Sequence, residues 1–310
     1  MSQHKGGLFQ ICSGDASDGL RGGDGALGCA GQGIGGLMKS LVIALMLASS
    51  AAPTDEPLKP TGKWTVEYGQ AECVLARNYG TAANPMIVAL KPAPLGGSLE
   101  VVVLEPGGRT PYRTGKATLS LLPSNRVIEN TYNSYGFEQK GQTVTTVNTD
   151  EDVSAELKDA TSVKIDLGTG GVKFVEVPAI KTALAALETC QVDLLNGWGV
   201  DPTERERYVK PPITSATRSG RSLWVTTVDY PNDALRANKQ GTSTALWKVT
   251  LDGRVSECRI VRSSGVPSLD QATCNAITKR GRYAPGQDKD GKPMEFHDMR
   301  RVVWRLPYSR

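Results

Sequence analysis

The chain has 310 residues, which is enough for two domains. Its 36 Lys and Arg residues nearly balance its 32 Asp and Glu residues. This balance argues against a dedicated nucleic-acid binder, because such proteins concentrate basic charge on one surface. We therefore expect no nucleic-acid partner.

The amino-terminal region divides at Met38. Residues 1–37 hold 12 of the 34 glycines and lack apolar periodicity, so we predict a mis-assigned or disordered extension. Residues 38–51 combine one lysine, an apolar run and a small-residue end, a pattern that predicts a signal peptide cleaved before Ala52. The alternative is a retained anchor, although this apolar run is shorter than the ~20 residues that span a bilayer.

Four cysteines follow the signal peptide. An even number of cysteines in an exported chain favours disulfides, and four cysteines allow three pairings. Locality favours one bridge in each domain, Cys73–Cys190 and Cys258–Cys274. No pair has the close spacing of a zinc or redox site, and we expect neither a metal nor a cofactor.

The first domain is predicted to be β-rich, over residues 62–199. Apolar runs bounded by Gly or Pro predict strands at residues 64–68, 73–77, 86–90, 99–104, 117–122, 142–147, 162–167 and 172–177. Such spacing favours an antiparallel sandwich or barrel. Pro178 then opens a helical pattern over residues 179–195, which carries Cys190 and closes the domain.

A charged, proline-containing stretch over residues 200–222 is predicted to be a linker. The second domain is predicted over residues 223–308. Its first residues, 223–228, predict either an extra strand or an arm that leads into the domain.

Motifs for catalysis are weak. Residues 31–36 match GxGxxG but follow a glycine-rich tract and precede the predicted signal peptide, whereas a dinucleotide site requires a preceding strand and the start of a helix. Residues 166–170 resemble an aspartic-protease loop but lack its Thr and a second Asp, so we interpret them as a β-turn. His297, the one histidine after the signal peptide, has no nucleophile tied to it by spacing. We predict a protein that is not an enzyme; the alternative is an enzyme whose site lies in the first domain.

The second domain is predicted to contain a helix, a hairpin, a second helix and a strand. Together with the β-rich first domain, this predicts an α+β fold for the chain. Pro231 precedes a short helix, and Asp252-Gly253 turns a hairpin between two alternating runs. A helix over residues 269–280 and a long strand over residues 294–306 complete the unit. If this last strand forms a sheet edge, its unpaired backbone groups can accept an incoming strand.

These same residues closely resemble the TonB carboxy-terminal domain. The matching elements are Tyr230-Pro231 with Ala234 and Arg236, Gln240-Gly241, residues 249–255, Ser263-Ser264-Gly265, Leu269-Asp270, residues 282–286 and Gly291-Lys292-Pro293. The resemblance implies a three-stranded sheet that grips the amino-terminal box peptide of outer-membrane transporters by strand addition. It implies a periplasmic location in a Gram-negative bacterium and a link to TonB-dependent transmembrane transport.

The resemblance also implies a partner-binding surface. We expect it to comprise Tyr230, Pro231, Arg300, Arg301, Val303 and Arg305, with the arginines favouring an acidic partner. The expected partner is an outer-membrane transporter or another envelope protein, and a homodimer is the alternative. An anchored energy transducer facing the periplasm is the alternative function, but a globular domain stands where that family has a proline-rich spacer.

Overall fold

The computed structural model describes residues 56–149, 151, 153–214 and 224–306, all of them in one compact unit. The predicted extension, signal peptide and GxGxxG match lie outside the described residues. The described chain contains helices and a large antiparallel sheet, which confirms the predicted α+β class.

A nine-stranded antiparallel sheet forms the first part of this unit. Its strands are β1 (Thr65–Tyr68), β2 (Cys73–Gly80), β3 (Pro85–Pro92), β4 (Leu99–Pro106), β5 (Arg113–Leu122), β6 (Arg126–Phe137), β7 (Gln142–Asn148), β8 (Ser162–Asp166) and β9 (Val172–Glu176). Their spatial order is β1-β2-β3-β4-β7-β6-β5-β8-β9. Strands β1 to β4 therefore form a meander, whereas β5 to β7 enter the sheet in reverse order.

The segment before β1 joins the two ends of this sheet. Leu58 forms a parallel bridge with Val175 on β9, and Pro60 forms an antiparallel bridge with Tyr79 on β2. The Leu58 amide donates to the Phe174 carbonyl at 2.8 Å. These bridges close the sheet into a barrel, and the inward side chains of its strands share one buried cluster.

Strand β6 is absent from the sequence analysis, although it has twelve residues. Its buried side chains are Ile128, Tyr132 and Ser134, so its inward face carries two large apolar residues. A strand with so little apolar alternation lacks the pattern by which its neighbours are recognised. The other barrel strands lie where the sequence predicts them.

Helix α2 (Ile180–Gly197) closes the barrel and follows the short helix α1 (Ser154–Leu157). A disulfide joins Cys190 on α2 to Cys73 on β2, with their Cα atoms 6.1 Å apart. Residues 166–170 form a tight turn in which the Gly168 amide donates to the Asp166 carboxylate at 2.8 Å. This agrees with the interpretation of that motif as a turn.

The second part of the unit holds a three-stranded sheet of order β12-β11-β16. In chain order its elements are β10 (Ile213–Thr214), α3 (Asn232–Arg236), β11 (Gly241–Val249), β12 (Val255–Arg262), α4 (Pro267–Arg280), β13 (Tyr283–Ala284), β14 (Gly286–Gln287), β15 (Pro293–Met294) and β16 (Phe296–Trp304). Strand β10 pairs with β13, and β14 pairs with β15. Of residues 223–228, those the structure describes form no strand, and Trp224 packs edge-on against Trp247.

Helix α4 covers one face of the three-stranded sheet. Trp247, Val249 and Ile277 belong to the buried cluster between them. A disulfide joins Cys258 on β12 to Cys274 on α4. The structure thus contains the two cysteine pairs that locality favours.

The opposite face of this sheet meets the end of α2. Its buried contacts join Leu195 and Val200 to Leu246 on β11, with Leu95, Trp198, Val261 and Met299 packed around them. Val200, at the start of the region predicted as a linker, thus packs against the three-stranded sheet. Farther along that region, the Val209 amide donates to the Gln287 carbonyl on β14 at 2.9 Å.

Asp270 on α4 should make stability depend on pH in the acid range. Its carboxylate accepts hydrogen bonds from the Ser243 hydroxyl at 2.7 Å, the Ser263 hydroxyl at 2.5 Å and the Ser264 amide at 2.9 Å. Burial alone would raise the pKa of Asp270, but these hydrogen bonds outweigh burial and lower it. A carboxyl group with a lowered folded-state pKa stabilises above its unfolded pKa, and this contribution is lost as the pH falls through the folded value.

We expect Asp270→Asn to reduce the free energy of unfolding by about 2 kcal/mol at pH 7, because hydrogen bonds to a charged acceptor are lost. The two proteins should converge in stability well below the reference pKa of 3.8, where both side chains are neutral. Urea unfolding between pH 2 and pH 7 measures this difference. A gap that stays constant with pH would show that the charge of Asp270 contributes nothing.

Candidate partner-binding edge

Strand β16 lies at the edge of the three-stranded sheet. Its ladder with β11 runs without a register shift from Phe296 opposite Val249 to Trp304 opposite Gly241. In the described chain β11 is its only ladder partner within that sheet. The other long side of β16 therefore carries backbone groups that do not belong to the ladder.

The hydrogen bonds of His297 show which amides point away from the sheet. The His297 amide donates to Glu204 Oε1 at 2.7 Å, outside the ladder. Because amide direction alternates along an antiparallel strand, the amides of Met299, Arg301 and Val303 point the same way. The Met299 amide donates to Asp298 Oδ1 at 2.7 Å. Carboxylates thus occupy the first half of the edge, and the second half, at Arg301 and Val303, faces outward without a ladder partner.

The predicted binding residues of this strand divide between its two sides. Val303 is 47% exposed, and Arg301 and Arg305 are exposed on the same side. Arg300 projects from the opposite side, where Val302 is buried. The exposed side therefore presents two arginines around one valine.

Arg301 also affects a carboxyl group of the barrel. Burial would raise the pKa of Glu72, but Lys91, Arg262 and Arg301 together lower it. Glu72 contacts Lys91 at 3.0 Å and Arg262 at 3.4 Å. The Glu72 carboxylate, in the turn between β1 and β2, thus partly compensates the positive charge of Arg301 at the edge.

Tyr230 and Pro231 lie at the far end of β16. The Tyr230 ring is buried and packs edge-on against Trp304, with ring centroids 5.2 Å apart. Its hydroxyl donates to the Lys239 carbonyl, and burial raises its pKa. Tyr230 thus supports the end of the strand from the core, whereas Pro231 is half-buried.

Glu204 and His297 form a pair that sequence reasoning missed. Glu204 is 8% exposed and accepts from the His297 amide through Oε1, while its Oε2 lies 2.7 Å from His297 Nδ1. The Tyr208 hydroxyl donates to Oε1 at 3.3 Å. Burial would raise the pKa of Glu204, but the bonds with His297 and Tyr208 lower it. The two residues lie 93 positions apart in sequence, so no local spacing could reveal this hydrogen-bonded pair.

A cleft of about 990 Å³ opens beside this pair. It is lined by the loop between β3 and β4, by α2, by residues 200–213 and by the start of β16. Two of its carboxylates have partners in the described structure: Asp201 pairs with Arg207 at 3.2 Å, and Asp298 accepts from the Tyr283 hydroxyl at 2.6 Å. No group of three metal-ligating side chains occurs in the part of the chain that the structure describes.

The comparison with protein families identifies the segment that carries this edge. Residues 226–306 match the family described as Gram-negative bacterial TonB protein C-terminal. The match covers about a quarter of the chain, and this segment is similar to a TonB C-terminal domain. The match extends from the capped turn before α3 through β16, and the barrel lies outside it. No curated protein matched the chain.

Among the residues that the structure describes, no helix is both long enough and apolar enough to cross a bilayer.

Proposed function

We propose that this is a periplasmic TonB-family protein that binds an envelope partner by strand addition to β16. The observation that carries the proposal is the outward-facing backbone of Arg301 and Val303 at the edge of a TonB C-terminal domain. An extended peptide can pair with such an edge through main-chain hydrogen bonds, while side-chain contacts supply specificity. The partner is an outer-membrane transporter, and the process served is TonB-dependent transmembrane transport.

The side chains around the edge favour a particular peptide chemistry. Val303 offers an apolar contact between Arg301 and Arg305, so a peptide with an apolar residue flanked by acidic ones fits this side. Exposed charges of this kind contribute to specificity and association rate more than to affinity. The same surface could pair two copies of the chain, and a homodimer remains the alternative partner.

An NMR titration of the mature chain tests the proposal. The probe is a synthetic peptide that carries the amino-terminal box of an outer-membrane transporter. We expect the amides of Arg301 and Val303 to shift and to exchange more slowly with solvent. Shifts confined to the barrel would contradict strand addition at β16.

Charge reversal at the edge should weaken this binding. We expect Arg301→Glu/Arg305→Glu to reduce affinity about fivefold, because exposed ion pairs contribute up to ~1 kcal/mol each. Arg109→Glu/Arg113→Glu is the matched control, since both of these arginines are exposed on the barrel. Equal losses in the two variants would indicate a net-charge effect and not a specific surface.

A further inference from the structure

The short helical turn over residues 204–207 lies against the first half of β16. Glu204 places one carboxylate oxygen on the outward amide of His297. In strand addition, a carbonyl of the incoming strand would occupy that same position. The chain thus contains its own acceptor at the edge that the proposed partner would use.

The segment around Glu204 is held on both sides. Before it, Val200 is buried against the sheet face that carries Leu246. After it, the Tyr208 ring packs edge-on against Phe296, with ring centroids 6.4 Å apart, and Lys210 bridges Gln287. These contacts keep the Glu204 carboxylate at the edge of the sheet, although the segment that carries it forms a helical turn and not a strand.

We propose that residues 200–208 form a clasp that competes with the partner for the first half of β16. The inference rests on the strand addition proposed above. A short segment pairs with Arg301 and Val303 while the clasp stays closed. A longer segment reaches His297 only when Glu204 leaves its amide. The clasp therefore lowers the affinity for a segment long enough to reach His297 and leaves the affinity for a shorter segment unchanged.

Amide hydrogen exchange of the mature chain, without a partner, tests the closed clasp. In the wild type we expect the His297 amide to exchange at least about tenfold more slowly than those of Arg301 and Val303, because it has an acceptor. Glu204→Ala should abolish this difference, and Glu204→Gln, which keeps an acceptor, should retain part of it. Glu206→Ala is the matched control, since Glu206 is exposed on the same turn. Equal exchange of all three amides in the wild type would overturn the proposal.

Peptide binding tests the competition. The probes are two synthetic peptides from one transporter box, five and ten residues long, measured by calorimetry. Opening the clasp costs a hydrogen bond to a charged acceptor, so Glu204→Ala should raise affinity for the longer peptide about tenfold. Affinity for the shorter peptide should stay unchanged.

The outcomes separate the clasp from the function on which it rests. Equal changes for both peptides, or no change for either, would overturn the clasp. Absence of binding by both proteins would overturn the proposed strand addition, and the exchange of the His297 amide would then decide whether the clasp exists.

Discussion

Val303→Pro should reduce partner binding by between about tenfold and a hundredfold while the protein stays folded. The Val303 amide points away from β11, so proline there removes no ladder hydrogen bond, and edge positions of this kind tolerate proline. An incoming strand would lose the donor for one of its carbonyls. Leaving such a group unsatisfied in an interface costs ~1–3 kcal/mol, which corresponds to the stated loss of affinity.

Val302→Pro provides the control for this experiment. The Val302 amide points toward β11, opposite Ser243, so the same substitution one residue earlier removes a ladder hydrogen bond and should destabilise the sheet. Denaturant unfolding and peptide titration of both variants measure the two effects separately. Full affinity of a folded Val303→Pro protein would place the binding surface elsewhere. Unfolding of Val303→Pro would show that the amide directions along β16 are assigned incorrectly.

Removal of the Cys73–Cys190 disulfide should lower the free energy of unfolding by about 4–5 kcal/mol. The two cysteines are 117 residues apart, and closing so long a loop restricts the unfolded chain strongly in the chain-entropy treatment. Both cysteines are buried in the barrel core, so their replacement also removes packing there. The double variant Cys73→Ala/Cys190→Ala, compared with the wild type in urea, measures the effect.

The Cys258–Cys274 disulfide serves as the internal comparison. Its cysteines are 16 residues apart, for which the same treatment gives about 3 kcal/mol. Cys258→Ala/Cys274→Ala should therefore be the milder of the two double variants. A larger loss in that variant would show that local strain or packing, and not loop length, decides what each disulfide contributes.

The segment that matches the TonB family was the part best predicted from sequence, because turn residues mark the ends of its strands and helices. Asp252-Gly253 marks the hairpin turn between β11 and β12, and the helix predicted over residues 269–280 is α4, which begins two residues earlier at Pro267. The cysteine pairs followed from locality alone. The signal peptide, the domain boundaries and the partner remain predictions.

Features that depend on contacts between distant residues could not be predicted from local sequence patterns. Strand β6 buries two large apolar side chains, Ile128 and Tyr132, and exposes Val127, Tyr135 and Phe137, so it has no regular alternation and its place in the barrel depends on β5 and β7. Glu204 reads as one charge within a charged stretch, and only the folded chain brings it to His297. Asn196-Gly197 marks the end of α2 in the sequence, but the contact between that end and Leu246 on the second sheet depends on the folded chain.

The bridges that close the barrel dictate the order in which this part of the chain can fold. Leu58 meets Val175, so closure must wait until more than a hundred further residues have emerged. Until then the backbone of Leu58 has no β9 partner, although Pro60 can already bridge Tyr79 on β2. Contacts as distant as that of Leu58 with Val175 slow folding and leave strand edges exposed meanwhile. A nascent chain therefore carries an open sheet until β9 is available, and chaperone protection would act on that stage.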